Sequence, residues 1–277
     1  MDSMMNNSEF RESITLISGN QKIFGIFHYP QQSKGPFPCV IMLHGFGSNK
    51  VGRFRRYVTI ANRLAQAGIA SIRFDFRGAG DSEGTLAEVT IERLIEDACV
   101  VGAYIQMHPL INKEKIGFLG SSLGGAVALL AAAKLQTAAA FVLLAPVFSG
   151  RPWFQIAHPS HSSSEKMYDP RIIIDPQTKQ AFFQNQQLHP DCVEQFYMLN
   201  IEEALRKASH IPLLHIQGAQ DTIVSDWHKH AYLEIRKQAE SETRSIWLPH
   251  STHDFSHTEE HEILLQETVN WFIKYLR

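Results

Sequence analysis

Between the strand-like residues 115–119 and the alanine-rich helical residues 123–135 the chain leaves almost no room for a loop. The junction reads Gly120-Ser121-Ser122-Leu123-Gly124, followed by Gly125. A strand that turns straight into a helix forces its central residue into a strained conformation. The residues two positions away must then be small, so that the chain can close on itself. The serine hydroxyl is lifted into the open at the helix N-terminus, where the dipole and free N–H groups favour developing negative charge. G-x-S-x-G carries this meaning between a strand and a helix, which is its context here. Ser122 is the candidate nucleophile, and Ser121 lies one position off the apex.

The junction is one step of a longer alternation. Residues 13–18 and 22–29, rich in β-branched and aromatic side chains, flank Gly19-Asn20 and predict a β-hairpin. Residues 39–43 form a fully apolar run suited to a strand buried on both faces. A helix is expected over 57–67, stopped by Gly68, then a strand over 69–74 and a helix over 89–107 that ends before Pro109. After the Ser122 junction comes a strand over 139–145. Apolar strands alternating with helices predict an α/β fold, a mostly parallel sheet covered on both faces.

The rhythm breaks at Pro146. Residues 147–210 show no βα alternation and hold Pro152, Pro159, Pro170, Pro176 and Pro190, with a Ser/His-rich patch at 158–164. Alternation resumes with a strand over 213–217, a helix over 227–238, a strand over 245–248 and a helix over 259–276. The parse is one core, residues 1–146 and 211–277, interrupted by a lid insertion, residues 147–210.

Composition narrows the partners. Lys plus Arg number 26 against 28 Asp plus Glu, a formal charge of −2, which builds no field for nucleic acid or an anionic bilayer. The expected partner is small and nearly neutral. Residues 1–10 hold Asp2 and Glu9 and lack a basic flank before an apolar run, so no signal peptide is expected. The longest apolar stretch, residues 138–148, falls short of the roughly 20 residues that span a bilayer. Cys39, Cys99 and Cys192 are scattered without metal-like spacing, which favours a reduced, cytoplasmic setting.

With these elements in place the chain resembles the α/β-hydrolase family. His44-Gly45-Phe46-Gly47 follows the strand at 39–43, and Asp75-Phe76-Arg77-Gly78-Ala79-Gly80-Asp81-Ser82 is similar to the family's D-x-R-G-x-G-x-S segment. The resemblance implies an α/β-hydrolase fold and an oxyanion hole made by the backbone N–H groups of Phe46 and Leu123. The Asp75–Ser82 segment reads as a fastened structural loop and His44 as a loop-holding partner. Gly218-Ala219-Gln220-Asp221-Thr222-Ile223-Val224 matches the family's G-x-x-D-x-x-V pattern, which makes Asp221 the acid. Its competitor Asp226 reads as the cap of the helix near Trp227. His250, His253 and His257 compete for the base. His253-Asp254-Phe255 resembles the family's H-x-F ending and favours His253, with His250 the main rival. The order Ser122, Asp221, His253 is that of α/β-hydrolases.

The implied chemistry is acyl transfer through a covalent intermediate on a small-to-medium carboxylic ester, with no cofactor and no metal. His228 and His230 read as helix-surface residues, and Asp97 as a surface or packing residue. The His-Gly motif and short insertion look like those of carboxylesterases, including cinnamoyl or feruloyl esterases and monoacylglycerol lipases. A serine aminopeptidase of the same fold would use insertion carboxylates to hold an amine, and Glu165, Asp169, Asp175, Asp191, Glu194, Glu202 and Glu203 are available. The same residues are compatible with an acyltransferase and with a non-catalytic small-molecule binding protein. Most of the insertion's aromatic residues, Trp153, Phe154, Tyr168, Phe182, Phe183, Phe196 and Tyr197, are expected to pack it against the core, while some suit a substrate pocket over Ser122 or a homodimer surface.

Overall fold

The computed structural model describes residues 9–31, 34–154, 172–174, 177–178, 180–183 and 185–277. β1 (Glu9–Ser18) and β2 (Gln21–Pro30) form the expected hairpin, in unbroken antiparallel register from Glu9↔Pro30 to Ser18↔Gln21. Gly19, at φ +59°, makes its turn, as glycine does without steric cost. The alternation follows through β3 (Phe37–Leu43), α1 (Arg56–Gln66), β4 (Ala70–Phe74), α2 (Ile91–Met107), β5 (Ile111–Ser121), α3 (Leu123–Leu135) and β6 (Ala140–Leu144). α1 stops as its sequence requires: the Ile69 N–H reaches back to the Leu64 carbonyl at 2.9 Å around Gly68, at φ +79°. α2 starts on Thr90, whose hydroxyl accepts the Arg93 N–H at 3.2 Å.

Between β6 and the next core strand, the described residues form α4 (Arg151–Phe154), β7 (Ile172–Ile174), β8 (Ala181–Phe183), β9 (Gln186–Gln187), α5 (Pro190–Met198) and α6 (Glu202–Lys207). β7, β8 and β9 make a small antiparallel sheet of their own. The Ser/His-rich patch at 158–164, Tyr168, Glu165, Asp169, Asp175 and residues 1–8 lie outside the described residues. The core resumes with β10 (Leu213–Gly218), α7 (Asp226–Arg236), β11 (Thr243–Leu248) and α8 (Thr258–Leu276).

The central sheet runs β1-β2-β4-β3-β5-β6-β10-β11. The β1–β2 and β2–β4 pairs are antiparallel and the others parallel. Two apolar cores flank it, as expected for strands buried on both faces. Along β3 the side chains alternate between them: Cys39, Ile41 and Leu43 pack with α2 and α3, while Val40 and Met42 pack with α1 and α8. Cys39 and Cys192 are buried free thiols and Cys99 is half-buried, in keeping with small hydrophobes.

Besides His44 in the loop after β3, three histidines are buried on the elements themselves among the described residues: His28 on β2, His215 on β10 and His228 on α7. The His28 ring bridges Glu9 at 2.8 Å and Arg73 at 2.9 Å, and the His215 ring packs against Tyr232 with centroids 5.5 Å apart. Burial lowers all three, His28 and His228 to about 4 and His215 to about 3. Below the ordinary histidine value near 6.5 the unfolded chain therefore binds protons that the folded chain refuses, so stability falls as pH drops through that window. The expected loss is about 2 kcal/mol for each group at pH 5. Urea unfolding from pH 7.5 to 5 measures it, and a midpoint that stays level over that range would contradict it.

Candidate active site

Ser122 sits at φ 54°, ψ −124°, the residue before α3 and a conformation few non-glycine residues adopt. Its N–H is held by the Leu144 carbonyl at 2.8 Å, and its own carbonyl accepts the N–H groups of Gly125 at 3.0 Å and Val147 at 3.2 Å. The flanking glycines are explained by contact. A Cβ on Gly120 would overlap Gly124, one on Gly124 would overlap the carbonyls of Leu43 and His44, and one on Gly125 would meet Pro146. Gly124 thus lets the loop after β3 lie across the start of α3. A Cβ on Gly45 would stand 3.2 Å from the Cβ of Ser122, which places the Gly45-Phe46 backbone beside the serine.

His44 engages both ring nitrogens under that loop. Nδ1–H donates to the Gly45 carbonyl at 2.8 Å, and Nε2 accepts the Phe76 N–H at 3.2 Å. Burial holds its pKa down, opposed by the Gly45 carbonyl and by Asp75. The loop after β4 is fastened by the charges that the sequence displays. The fully buried Asp75 carboxylate accepts the N–H groups of Lys50 at 2.6 Å and Asp81 at 2.9 Å, and it pairs with the Lys50 ammonium. Arg77 donates to Asp97 from its backbone N–H at 2.9 Å and from Nε at 2.7 Å. Asp97 is therefore no surface residue but the buried partner of Arg77.

The acid and base candidates meet. His253 Nδ1 lies 2.7 Å from Asp221 Oδ2, with side-chain exposures of 11% and 1%. Asp221 Oδ1 accepts the N–H groups of Ile223 and Val224, both at 2.9 Å, and Oδ2 also accepts Gln217 Nε2–H at 3.0 Å. Donors on both oxygens fix the orientation of the carboxylate. Gly218 explains how the two loops approach, because a Cβ there would overlap the carbonyls of Ser251 and Thr252. Backbone bonds from Ala219 to Leu248 and from Gln220 to Ser251 join the acid turn to the loop that carries His253.

The rivals are accounted for differently. The His250 and His257 rings pack on one another at 5.2 Å. Asp226 is not the helix cap: α7 begins at Asp226 with Ser225 as the capping residue, and the exposed Asp226 carboxylate faces His230 at 3.9 Å. His230 is exposed as expected, but His228 is buried, its Nδ1 accepting the Phe148 N–H at 3.1 Å. An amphipathic reading of α7 could not see that the start of the insertion covers this face.

Residues without a sequence motif hold the loop of His253. The buried Glu260, in the first turn of α8, accepts the His250 N–H at 2.9 Å and the Ser251 hydroxyl at 2.6 Å. The buried Arg56 donates to the Asp254 carbonyl, and its guanidinium lies 5.0 Å from the Phe255 ring centroid. In sequence, Glu260 looks like an acidic residue complementing a helix dipole. Replacing Glu260 by alanine orphans the buried Ser251 hydroxyl and removes the acceptor of the His250 N–H, at a cost of about 2 kcal/mol. We expect a lower midpoint of thermal unfolding for Glu260→Ala, read by circular dichroism; an unchanged midpoint would show that these bonds do not hold the loop of His253.

Beside the Phe46 and Leu123 backbone lies a cavity of about 200 Å³ with a mixed lining: Phe76, Leu86, Val89 and Val127 share it with Ser48, Asn49 and Gln186, and Phe183 reaches in from β8. Among the described residues, no three His, Cys, Asp or Glu side chains group as metal ligands, and no helix is long and apolar enough to cross a membrane.

Comparisons with known proteins agree with this architecture. The family described as serine aminopeptidase, S33 matches residues 34–260. An uncharacterized 31.7 kDa protein of the traX-finO intergenic region of Escherichia coli is 35% identical over 100 residues, 36% of this chain and 34% of that protein. The mitochondrial palmitoyl-protein thioesterase ABHD10 of Rattus norvegicus is 36% identical over 92 residues, 33% of this chain and 28% of its own length. The match thus spans about a third or less of each of these relatives. In structure, Est1E from Butyrivibrio proteoclasticus with bound ferulic acid superposes at a TM-score of 0.73 and 21% identity, covering 93% of this chain and 98% of that one.

Proposed function

The chain belongs to the serine aminopeptidase S33 family of α/β-hydrolases, and from that premise we propose that it is a serine hydrolase cleaving small-to-medium carboxylic esters. The observation that carries the reading is His253 Nδ1 at 2.7 Å from the buried Asp221 carboxylate, in a chain whose Ser122 occupies a strained strand-to-helix turn. With its proton on Nδ1 facing Asp221, His253 keeps the Nε2 lone pair for the nucleophile.

His253 Nε2 takes the proton from Ser122 as the oxygen adds to the ester carbonyl. The N–H groups of Phe46 and Leu123 hold the oxyanion. Collapse expels the alkoxide, which leaves as the alcohol with the proton from His253. Water, deprotonated by the same nitrogen, then attacks the acyl-enzyme; the carboxylic acid is released and Ser122 regains its proton. Asp221 steadies the imidazolium in both halves.

The cavity favours an ester over a peptide. Among the described residues lining it there is no Asp or Glu to hold a substrate amine, and the ionisable side chains His44 and Arg77 are engaged in the loops. In the insertion, Glu202 and Glu203 pair with Arg206 and Lys207 on α6.

A fluorophosphonate probe tests the reading. We expect one adduct by intact mass, mapped to the peptide holding Ser122, and turnover of p-nitrophenyl butyrate that disappears with labelling. A folded protein that takes up no probe and turns over no ester would overturn it in favour of a binding protein.

A further inference from the structure

Phe183 brings the insertion into contact with the oxyanion loop. Its ring is 1% exposed and meets Phe46 edge-on, with centroids 5.0 Å apart and planes at 70°. It occupies the space that a side chain at position 47 would need: Gly47 has φ +66°, and a Cβ built there would overlap the Phe183 ring. One phenyl from the insertion thus forms a wall of the 200 Å³ cavity and braces Phe46, the residue whose N–H is assigned to the oxyanion.

From this geometry we infer that the cavity receives the acyl group of the substrate and that Phe183 sets how long that group can be, the preferred substrate being an ester of a neutral, apolar acid of about six to eight carbons, straight or bearing one ring. The inference rests on the esterase reading above and adds the substrate class. The orientation follows from the lining. The cavity is built from the loops after β3 and β4, the start of α3 and the insertion, and takes nothing from the loop of His253. The departing alcohol must collect its proton from His253, so it lies toward that loop and the acyl chain takes the cavity. The size follows from volume. A cavity of about 150 Å³ admits benzene, so 200 Å³ corresponds to roughly eight carbon-sized atoms. The lining offers an acyl group no charge partner, because the cavity-lining His44 and Arg77 already have partners within the protein, and the chain's apolar contacts come from Phe76, Leu86, Val89, Val127 and Phe183.

The test is kcat/KM for p-nitrophenyl esters from two to fourteen carbons, with the wild type beside Phe183→Ala, Phe183→Leu and Phe183→Trp. In parallel, calorimetry measures binding of the matching methyl esters to Ser122→Ala. Each methylene buried in the cavity is worth about fourfold. The wild type should peak at six to eight carbons and fall at least tenfold by twelve. Phe183→Ala and Phe183→Leu should move the peak to longer chains, and Phe183→Trp to shorter ones. Opposite shifts from larger and smaller side chains are not produced by destabilisation. A wild-type profile that rises without a break to fourteen carbons, or three variants that keep the wild-type optimum, would overturn the inference while leaving the hydrolase standing. Absence of turnover with every ester would instead overturn the hydrolase, and the methyl-ester affinities would still decide the cavity: an optimum at six to eight carbons upholds it and a featureless series ends it.

Discussion

Replacing Ser122 by alanine should lower ester turnover by about a million-fold while the protein keeps its fold. The magnitude follows from the way nucleophile, base and acid act as one unit: without the oxygen, His253 has no proton to take and no acyl-enzyme forms. The residual rate should come from the Phe46 and Leu123 N–H groups, which still face a bound carbonyl. The fold should survive because Ser122 is held through its backbone, by bonds to Leu144, Gly125 and Val147 that alanine keeps. Alanine still bears the strain of φ 54°, but so does serine. Circular dichroism and burst kinetics on the same sample separate the two effects. Activity within a hundredfold of wild type would remove Ser122 as nucleophile.

Asp221→Asn should cost about ten-thousandfold in kcat/KM. The carboxylate accepts from four donors: Gln217 and His253 at Oδ2, and Ile223 and Val224 at Oδ1. An amide in its place has one oxygen and one NH2. Whichever way it turns, its N–H groups face donors, either the two side chains or the two backbone groups. The imidazole can relieve that conflict only by moving its proton from Nδ1 to Nε2, and an Nε2–H cannot deprotonate the serine. Fluorophosphonate labelling should therefore slow in step with turnover while its site stays at Ser122. A variant within tenfold of wild type would show that His253 does not depend on Asp221 for its tautomer.

The parts of this site that could be read from the chain are those whose constraints are local. Gly120 and Gly124 flank Ser122 because a strand-to-helix turn leaves no space for side chains, and that requirement is written within five consecutive residues. Gly218 before Asp221 has a comparable cause, although its obstacle, the Ser251 carbonyl, comes from a distant loop and is not visible in the spacing. Alternating apolar runs foretell the parallel sheet because its inner strands β3, β4, β6 and β10 are buried on both faces along nearly their whole length.

What escaped the sequence depends on partners far along the chain. Glu260 anchors the His253 loop from a helix whose own pattern explains an acidic first turn without it. His228 looks like part of a polar helix face until the Phe148 N–H is brought to it. Ser225 precedes α7 without a side-chain capping bond, so the stronger capper one residue on drew the assignment. Within the insertion, prolines and short strands erase any period, and the meeting of Phe183 with Gly47 across 136 positions leaves no local trace.

The strand order also bears on how the molecule is born. Ser122 is translated near the middle of the chain, and the strand carrying Asp221 and the loop carrying His253 follow it across the sheet, β10 beside β6 and β11 beside β10. A nascent chain that has emerged only as far as β6 displays the elbow with no imidazole to activate it. On the proposed mechanism that elbow is silent until the chain is complete, and ester turnover during cell-free synthesis is expected to begin only when the last strand and helix have docked.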